Sequence, residues 1–146
     1  MALNDHRYRQ LEEGEFRLFL LNPSRSGTDD PLGELLTFKI DQPVRFCVLS
    51  FLWGSRRADD QANVLCGGGS GVKVPPNLVD ALRTVHQRRQ SQFFWADVLC
   101  INESAINERG TQAQMMAQIL SKAESIEFYL NSESNSIKRL SNYYQG

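Results

Sequence analysis

Polar side chains that could do chemistry are concentrated between Asp97 and Arg109. Glu108 could act as a general base, or could stabilise the oxocarbenium-like centre that forms when a bond to a sugar breaks. Arg109 provides a forked donor for a phosphate or carboxylate, and Asn102 provides both a donor and an acceptor. An aromatic face at Trp53 could stack on a base or ring. The residues predicted to bind a ligand are Ser50, Trp53, Asp97, Asn102, Glu103 and Arg109.

Each of these side chains also has a structural interpretation, and the sequence leaves both open. Glu108 in the first turn of a helix would favourably meet the positive end of the helix dipole. Asp97 lies between apolar neighbours on a predicted buried strand, so it needs a partner, and Arg109 could supply it. Asn102 could cap the turn where the strand ends.

The elements that must position these residues alternate between strands and helices. Apolar runs predict strands over 15–21, 35–40, 44–52, 93–100 and 125–130, with short β-prone pieces on either side of the glycine cluster 67–71. Three- and four-residue spacing predicts helices from 75 to about 90 and from 105 or 107 to 122. Residues 133–146 are predicted to form a helix or an amphipathic tail.

Helix-separated strands predict an α/β fold with a mostly parallel central sheet flanked by helices. The two N-terminal strands are predicted to be an antiparallel addition. In such sheets ligands bind beyond the carboxyl ends of the strands. We therefore expect the strands that end near Ser50 and Asp97 to be neighbours, so that their polar tips face a common cleft.

The bulk properties restrict the class of protein. A chain of 146 residues fits a single domain over 1–146 with a core from about 16 to 130. The net charge of -1 and the lack of a dense basic tract exclude nucleic acid as an expected partner. No run approaches the roughly 18 apolar residues that span a bilayer, so we expect a cytoplasmic protein with no membrane association. Three widely spaced cysteines without a C-x-x-C motif predict neither a metal site nor disulfides.

Two separated segments resemble the pattern of the fungal heterokaryon incompatibility (HET) domain. Residues 48–54, V-L-S-F-L-W-G, are similar to the family's A-L-S-Y-x-W-G. Residues 95–123 are similar to W-I-D-x-x-C-I-N-Q, then E-R, then Q-V-x-x-M-x-x-I-Y-x-x-A. The residues of the second segment that are in register are Trp95, Asp97, Cys100, Ile101, Asn102, Glu108, Arg109, Gln112, Met116, Ile119 and Ala123.

The chain departs from the family pattern at a few positions. Phe51 and Leu120 each stand where the pattern has Tyr, and Glu103 stands where it has Gln. The first two lack a hydroxyl, while Glu103 adds a charge near the predicted site. A degenerate HET fragment without activity is therefore one of three hypotheses.

The resemblance implies a signalling domain of fungal non-self recognition and programmed cell death, which acts through self-association or contact with a protein partner. HET domains also resemble Toll/interleukin receptor (TIR) domains in their proposed flavodoxin-like fold, and some TIR domains cleave NAD with a glutamate. The alternative hypothesis is therefore an NAD-cleaving enzyme with a nucleotide ligand and no resident cofactor. Glu108 is its catalytic candidate, and Glu133 is the rival because the TIR glutamate lies beyond a later strand.

Overall fold

The computed structural model describes residues 4–22, 30–52, 62–67, 69–88, 93–130 and 137–140. Within these ranges the chain forms nine strands and three helices. The strands are β1 (Asn4–Asp5), β2 (Glu15–Leu21), β3 (Gly33–Lys39), β4 (Cys47–Leu52), β5 (Ala62–Gly67), β6 (Ser70–Val74), β7 (Phe93–Trp95), β8 (Ser125–Leu130) and β9 (Ile137–Leu140), and the helices are α1 (Pro76–Arg88), α2 (Asp97–Cys100) and α3 (Ile106–Lys122).

The larger sheet has six strands in the order β3-β2-β7-β4-β8-β9. The strands β7 and β4 pair in parallel, as do β4 and β8, whereas the remaining three pairs are antiparallel. The fold is mixed α/β, and the prediction of a mostly parallel sheet is wrong. A parallel connection needs a crossover of a dozen or more residues, and only 131–136 separate β8 from β9. The antiparallel β2–β3 hairpin at the other edge is confirmed.

The strands β4 and β7, which are distant in sequence, are neighbours in the sheet, as predicted. Cys47 and Val48 on β4 pair in parallel with Phe94 and Trp95 on β7. The carboxyl ends of both strands therefore lie at the same edge of the sheet. Because β2 runs antiparallel to β7, with Phe19 opposite Phe94, the amino-terminal half of β2 extends past that same edge.

Two segments differ from the predictions in the type of element that they form. The predicted strand 93–100 ends at Trp95, and α2 begins at Asp97, whose Oδ1 accepts the backbone N–H of Val98 at 2.8 Å. This local bond competes with continued strand pairing. Residues 137–140, predicted as part of a helix or tail, form a strand against β8 instead.

The core lies around the larger sheet and includes strands β2, β4 and β7 on its inner positions. The helix α1 buries Leu78, Ala81, Leu82 and Val85, at the spacing that the sequence predicted, and contacts β4 and β5.

The smaller sheet has the order β1-β6-β5, and its β5–β6 hairpin turns through Gly67 and Gly69 with positive φ. The glycine cluster thus serves a hairpin. Of the helices in the described ranges, none combines the length and apolar character needed to cross a membrane.

Candidate functional site

A buried ion pair joins β2 to the start of α3. Arg17 is 2% exposed, and its two terminal nitrogens donate to the two carboxylate oxygens of Glu108, over 2.6 Å from Nη1 to Oε2 and 2.8 Å from Nη2 to Oε1. This fork-to-fork geometry is the strongest form of an arginine–carboxylate contact. Glu108 therefore pairs with a residue 91 positions upstream.

Arg17 also holds two other segments of the chain. Its Nη1 donates to the carbonyl oxygen of Cys100 at 3.0 Å, at the end of α2, and its Nη2 donates to the carbonyl oxygen of Arg9 at 2.6 Å. The guanidinium carbon lies 4.7 Å from the centre of the Tyr8 ring, within range of a cation–π contact. The Tyr8 hydroxyl in turn donates to the carbonyl oxygen of Leu99 at 2.8 Å. One side chain thus ties the N-terminal segment, α2 and α3 together.

Arg17 was not among the predicted site residues, although an arginine within an apolar strand signals a buried ion pair. Every residue of β2 except Leu20 is buried, so a guanidinium in this strand must find a carboxylate. In the structural interpretation, Arg109 was one partner that the sequence offered for Asp97, and no ion pair joins the two in the part of the chain that the structure describes. Arg109 is exposed, and Asp97 is half-buried at the start of α2.

Glu108 accepts a third hydrogen bond, from the backbone N–H of Asn102 to Oε2 at 2.6 Å. The Asn102 side chain accepts the backbone N–H of Ser104 through Oδ1 at 3.2 Å. This bond is the turn-capping role that the sequence left open for Asn102. Since both oxygens of Glu108 are occupied, this carboxylate joins strand, turn and helix.

A cleft of about 950 Å³ lies between the N-terminal segment and the start of α3. It contains Asn102 and Glu108 from the predicted site, whereas Ser50, Asp97, Glu103 and Arg109 do not line it. Trp53 and Glu133 lie outside the described residues. The lining residues are Tyr8, Gln10, Leu11, Glu12, Glu13, Asn102, Ser104, Ala105, Ile106, Asn107, Glu108, Thr111 and Gln112. This cleft thus holds two of the predicted site residues that the structure describes, and its second wall comes from Tyr8, Gln10, Leu11, Glu12 and Glu13, which no sequence pattern indicated.

The cleft carries acidic and neutral polar groups. Glu12 and Glu13 are exposed on the N-terminal wall, and no lysine, arginine or histidine occurs among the described lining residues. The helix α3 begins after Ala105 without a side-chain cap, so N–H groups of its first turn lack a partner from that source. The described residues hold no group of three or more His, Cys, Asp or Glu side chains that could bind a metal.

Two further buried groups border this region. Gln112 is 1% exposed and donates through Nε2 to the carbonyl oxygen of Glu15 at 2.8 Å, whereas its Oε1 has no partner in the described part of the chain. Burial raises the pKa of the Cys100 thiol to about 12, so this thiol is protonated at neutral pH and is not an activated nucleophile. Burial also raises the pKa of Tyr8, which keeps its hydroxyl protonated as a donor.

Comparisons with known proteins agree with the resemblance seen in the motifs. The model of the family described as heterokaryon incompatibility protein (HET) matches residues 46–145. The chain is 29% identical over 124 residues to heterokaryon incompatibility protein 6, OR allele, of Neurospora crassa, a match that covers 78% of this chain and 18% of that protein. This chain thus spans less than a fifth of the length of that relative. No solved structure matches the chain. Because the family model covers more than half of the chain, the chain belongs to the heterokaryon incompatibility (HET) family.

Proposed function

We propose that this chain is a signalling domain of fungal heterokaryon incompatibility, which contributes to non-self recognition and programmed cell death by self-association or by contact with a protein partner. Its family membership and its similarity to a relative named heterokaryon incompatibility protein 6 support this role. The relative is much longer, so the proposal concerns the part that this chain represents.

The bonding of Glu108 is the observation that carries the proposed mode of action. Two N–H groups of Arg17 and the backbone N–H of Asn102 donate to its two oxygens. Glu108 could therefore accept a proton from a substrate only by giving up one of these hydrogen bonds. Other polar residues of the motif are also used internally. Asp97 accepts a hydrogen bond at the start of α2, and Gln112 ties α3 to β2. A motif whose polar groups hold the fold together is suited to presenting a surface.

Two measurements test this proposal together, namely the effect of expressing the chain in a fungal host and the association state of the purified chain. The chain is placed under an inducible promoter in a fungal host, and viability is followed with a vital dye. In parallel, light scattering after size exclusion measures the mass of the purified chain, alone and mixed with host extract fractions. We expect loss of viability and a mass above that of the monomer. Normal growth together with a strictly monomeric protein under every condition contradicts the proposal.

An NAD-cleaving, TIR-like activity is the second candidate, and the cleft is the observation in its favour. Its volume of about 950 Å³ lies within the range of small-molecule sites, and Glu108 borders it beside three hydroxyl-bearing residues. Against it, the described lining has no cation for a pyrophosphate.

Nicotinamide release from NAD tests the second candidate. Glu108→Gln removes the carboxylate and also the ion pair, so Arg17→Met is the matched control, because it breaks the same pair and keeps the carboxylate. A catalytic Glu108 predicts that only Glu108→Gln abolishes release while both variants remain folded. Glu133→Gln tests the rival glutamate in the same assay. Absence of release from assembled wild-type protein eliminates the activity.

A further inference from the structure

The cleft between the N-terminal segment and α3 has a lining that restricts what it can bind. The Glu12 and Glu13 carboxylates are exposed on one wall beside the half-buried Leu11. On the other wall Ile106 is 79% exposed, and it is the large hydrophobic residue that stands out as exposed among the described residues. The cleft thus offers negative charge to a cation and apolar surface to an aliphatic side chain.

Unused hydrogen-bonding groups at the same place provide an independent observation. Gln112 lines the cleft at 1% exposure, and its Oε1 has no hydrogen-bond partner in the described ranges. A buried acceptor without a donor is costly, so it marks a position where a ligand donor would be favourable. Near it, the first turn of α3 has no side-chain cap, so its N–H groups could donate to carbonyl oxygens. Donors and acceptors side by side are what an extended peptide backbone requires.

The charges at the cleft argue against an anionic ligand. Arg17 is the guanidinium behind the lining, and its terminal nitrogens are fully engaged by Glu108 and two backbone carbonyls. Arg9 pairs with Glu15 at 3.6 Å and does not line the cleft. A diphosphate placed here would face Glu12 and Glu13 with no compensating cation among the described lining residues. A guanidinium or ammonium group would instead find two carboxylates.

We propose that this cleft binds a protein partner through a segment in which an arginine or lysine stands next to an aliphatic residue. The basic side chain pairs with Glu12 and Glu13, the aliphatic side chain packs on Leu11 and Ile106, and the peptide backbone bonds to the start of α3 and to Gln112. This inference rests on the proposed function, for which it names the contact surface and the chemistry of the partner.

Peptide binding to the isotope-labelled chain tests this proposal. The probe is a pool of capped eight-residue peptides with a fixed central Arg-Leu pair and randomised flanks. The matched pool has Glu-Leu at the centre. Binding is followed by amide chemical shifts at increasing peptide concentration. We expect the Arg-Leu pool to shift the amides of Ser104, Asn107 and Thr111, to bind at least about tenfold more tightly than the Glu-Leu pool, and to weaken with added salt.

Variants separate the carboxylates and the apolar contact. The double variant Glu12→Gln/Glu13→Gln is expected to weaken binding of the Arg-Leu pool about fivefold, since two exposed ion pairs are lost. Glu124→Gln removes an exposed carboxylate outside the cleft and is expected to leave binding unchanged. Ile106→Ser should weaken the binding of both peptide pools, because it removes apolar contact without changing charge.

Several outcomes overturn the inference. They are equal affinity for the two pools, shifts confined to another surface, an unchanged affinity in the double variant, or no shift at millimolar peptide. Shifts of the same amides by NAD in place of the Arg-Leu pool would assign the cleft to a nucleotide. A dimer mass in light scattering, with the same amides shifted in the absence of peptide, would identify a second copy as the occupant and would also overturn the inference. Because the binding assay needs no cell death, its failure with lethality in the fungal host intact refutes the docking surface and leaves the proposed function standing.

Discussion

The two faces of α3 differ in their contacts with the rest of the chain. Its inner face meets β2 and the turn after α2 through Glu108 and Gln112, and it buries Met115 and Ile119 farther along. Its outer face carries Arg109, which follows Glu108 in sequence and is exposed, and Ile106, which projects at the rim of the cleft. Adjacent residues of one motif therefore have separate roles. The inner residues should govern stability, and the rim residues should govern contact with other molecules.

The largest effect is expected at Arg17. Arg17→Met removes the bidentate partner of Glu108 and leaves a carboxylate, 11% exposed, without a counter-charge. Breaking a buried pair in this way costs about 3 to 5 kcal/mol in the free energy of unfolding. Urea denaturation followed by circular dichroism measures the change.

Arg109→Met is the matched control for this substitution. Arg109 is the same residue type one position from Glu108, but it is exposed. We expect a change within about 0.5 kcal/mol. A similar loss of stability in the two variants would contradict the distinction between the faces of α3.

Thiol labelling reports opening of the same junction. The Cys100 thiol is buried with a pKa of about 12, and Cys66 is half-buried with a pKa raised by burial to about 11. Because the thiolate is the reactive form, iodoacetamide at pH 8 should label Cys66 before Cys100, with the sites assigned by mass spectrometry. If Arg17→Met lowers the opening free energy by about 3 kcal/mol, Cys100 labelling should accelerate by about 100-fold.

The comparison of the two cysteines supplies its own control. Cys66 lies on β5, whereas the side-chain hydrogen bonds of Arg17 go to Arg9, Cys100 and Glu108, so the arginine substitution should change the labelling of Cys66 much less. An equal acceleration at both thiols would mean that the whole fold opens together. Unchanged labelling of Cys100 would mean that Arg17 does not hold the end of α2.

A smaller effect is expected at Gln112. Gln112→Met keeps the volume close to that of the native side chain, and it removes the hydrogen bond to the Glu15 carbonyl together with the unpartnered Oε1. The loss of one bond and the removal of one unsatisfied acceptor partly offset each other, so the expected cost is about 1 kcal/mol. Gln114→Met changes an exposed glutamine of the same helix and should cost less than about 0.5 kcal/mol in the same denaturation assay.

Periodic segments were predictable from the sequence. The apolar stripe of α1 and the apolar strands β4 and β8 lie within the ranges that their residue patterns predicted, and β4 and β7 are neighbours as expected. These features depend on contacts that repeat along one element. Local pattern is sufficient for such elements.

The features that the sequence did not indicate depend on single contacts between distant residues. Glu108 lies in the first turn of α3 as predicted, but its partner Arg17 lies 91 residues away, and nothing local to Glu108 indicates this pair. The N-terminal wall was missed because Tyr8 and Glu12 belong to a segment without hydrophobic periodicity. The clue that existed was a charged residue inside an apolar strand, which requires a partner wherever it is found.

The smallest effect on stability, and the sharpest distinction between the faces, is expected at Ile106. This side chain is 79% exposed, so Ile106→Ser removes little buried area and should change the free energy of unfolding by less than about 0.5 kcal/mol. In the docking surface proposed above, this apolar side chain contributes contact with the partner instead. We therefore expect Ile106→Ser to be as stable as the wild type and to have reduced lethality in the fungal host. Thermal denaturation and host viability measure the two properties on the same variant. Lethality that persists unchanged, or a stability loss comparable to that of Arg17→Met, would remove the distinction, because it would show that the outer residue either has no contact role or belongs to the core.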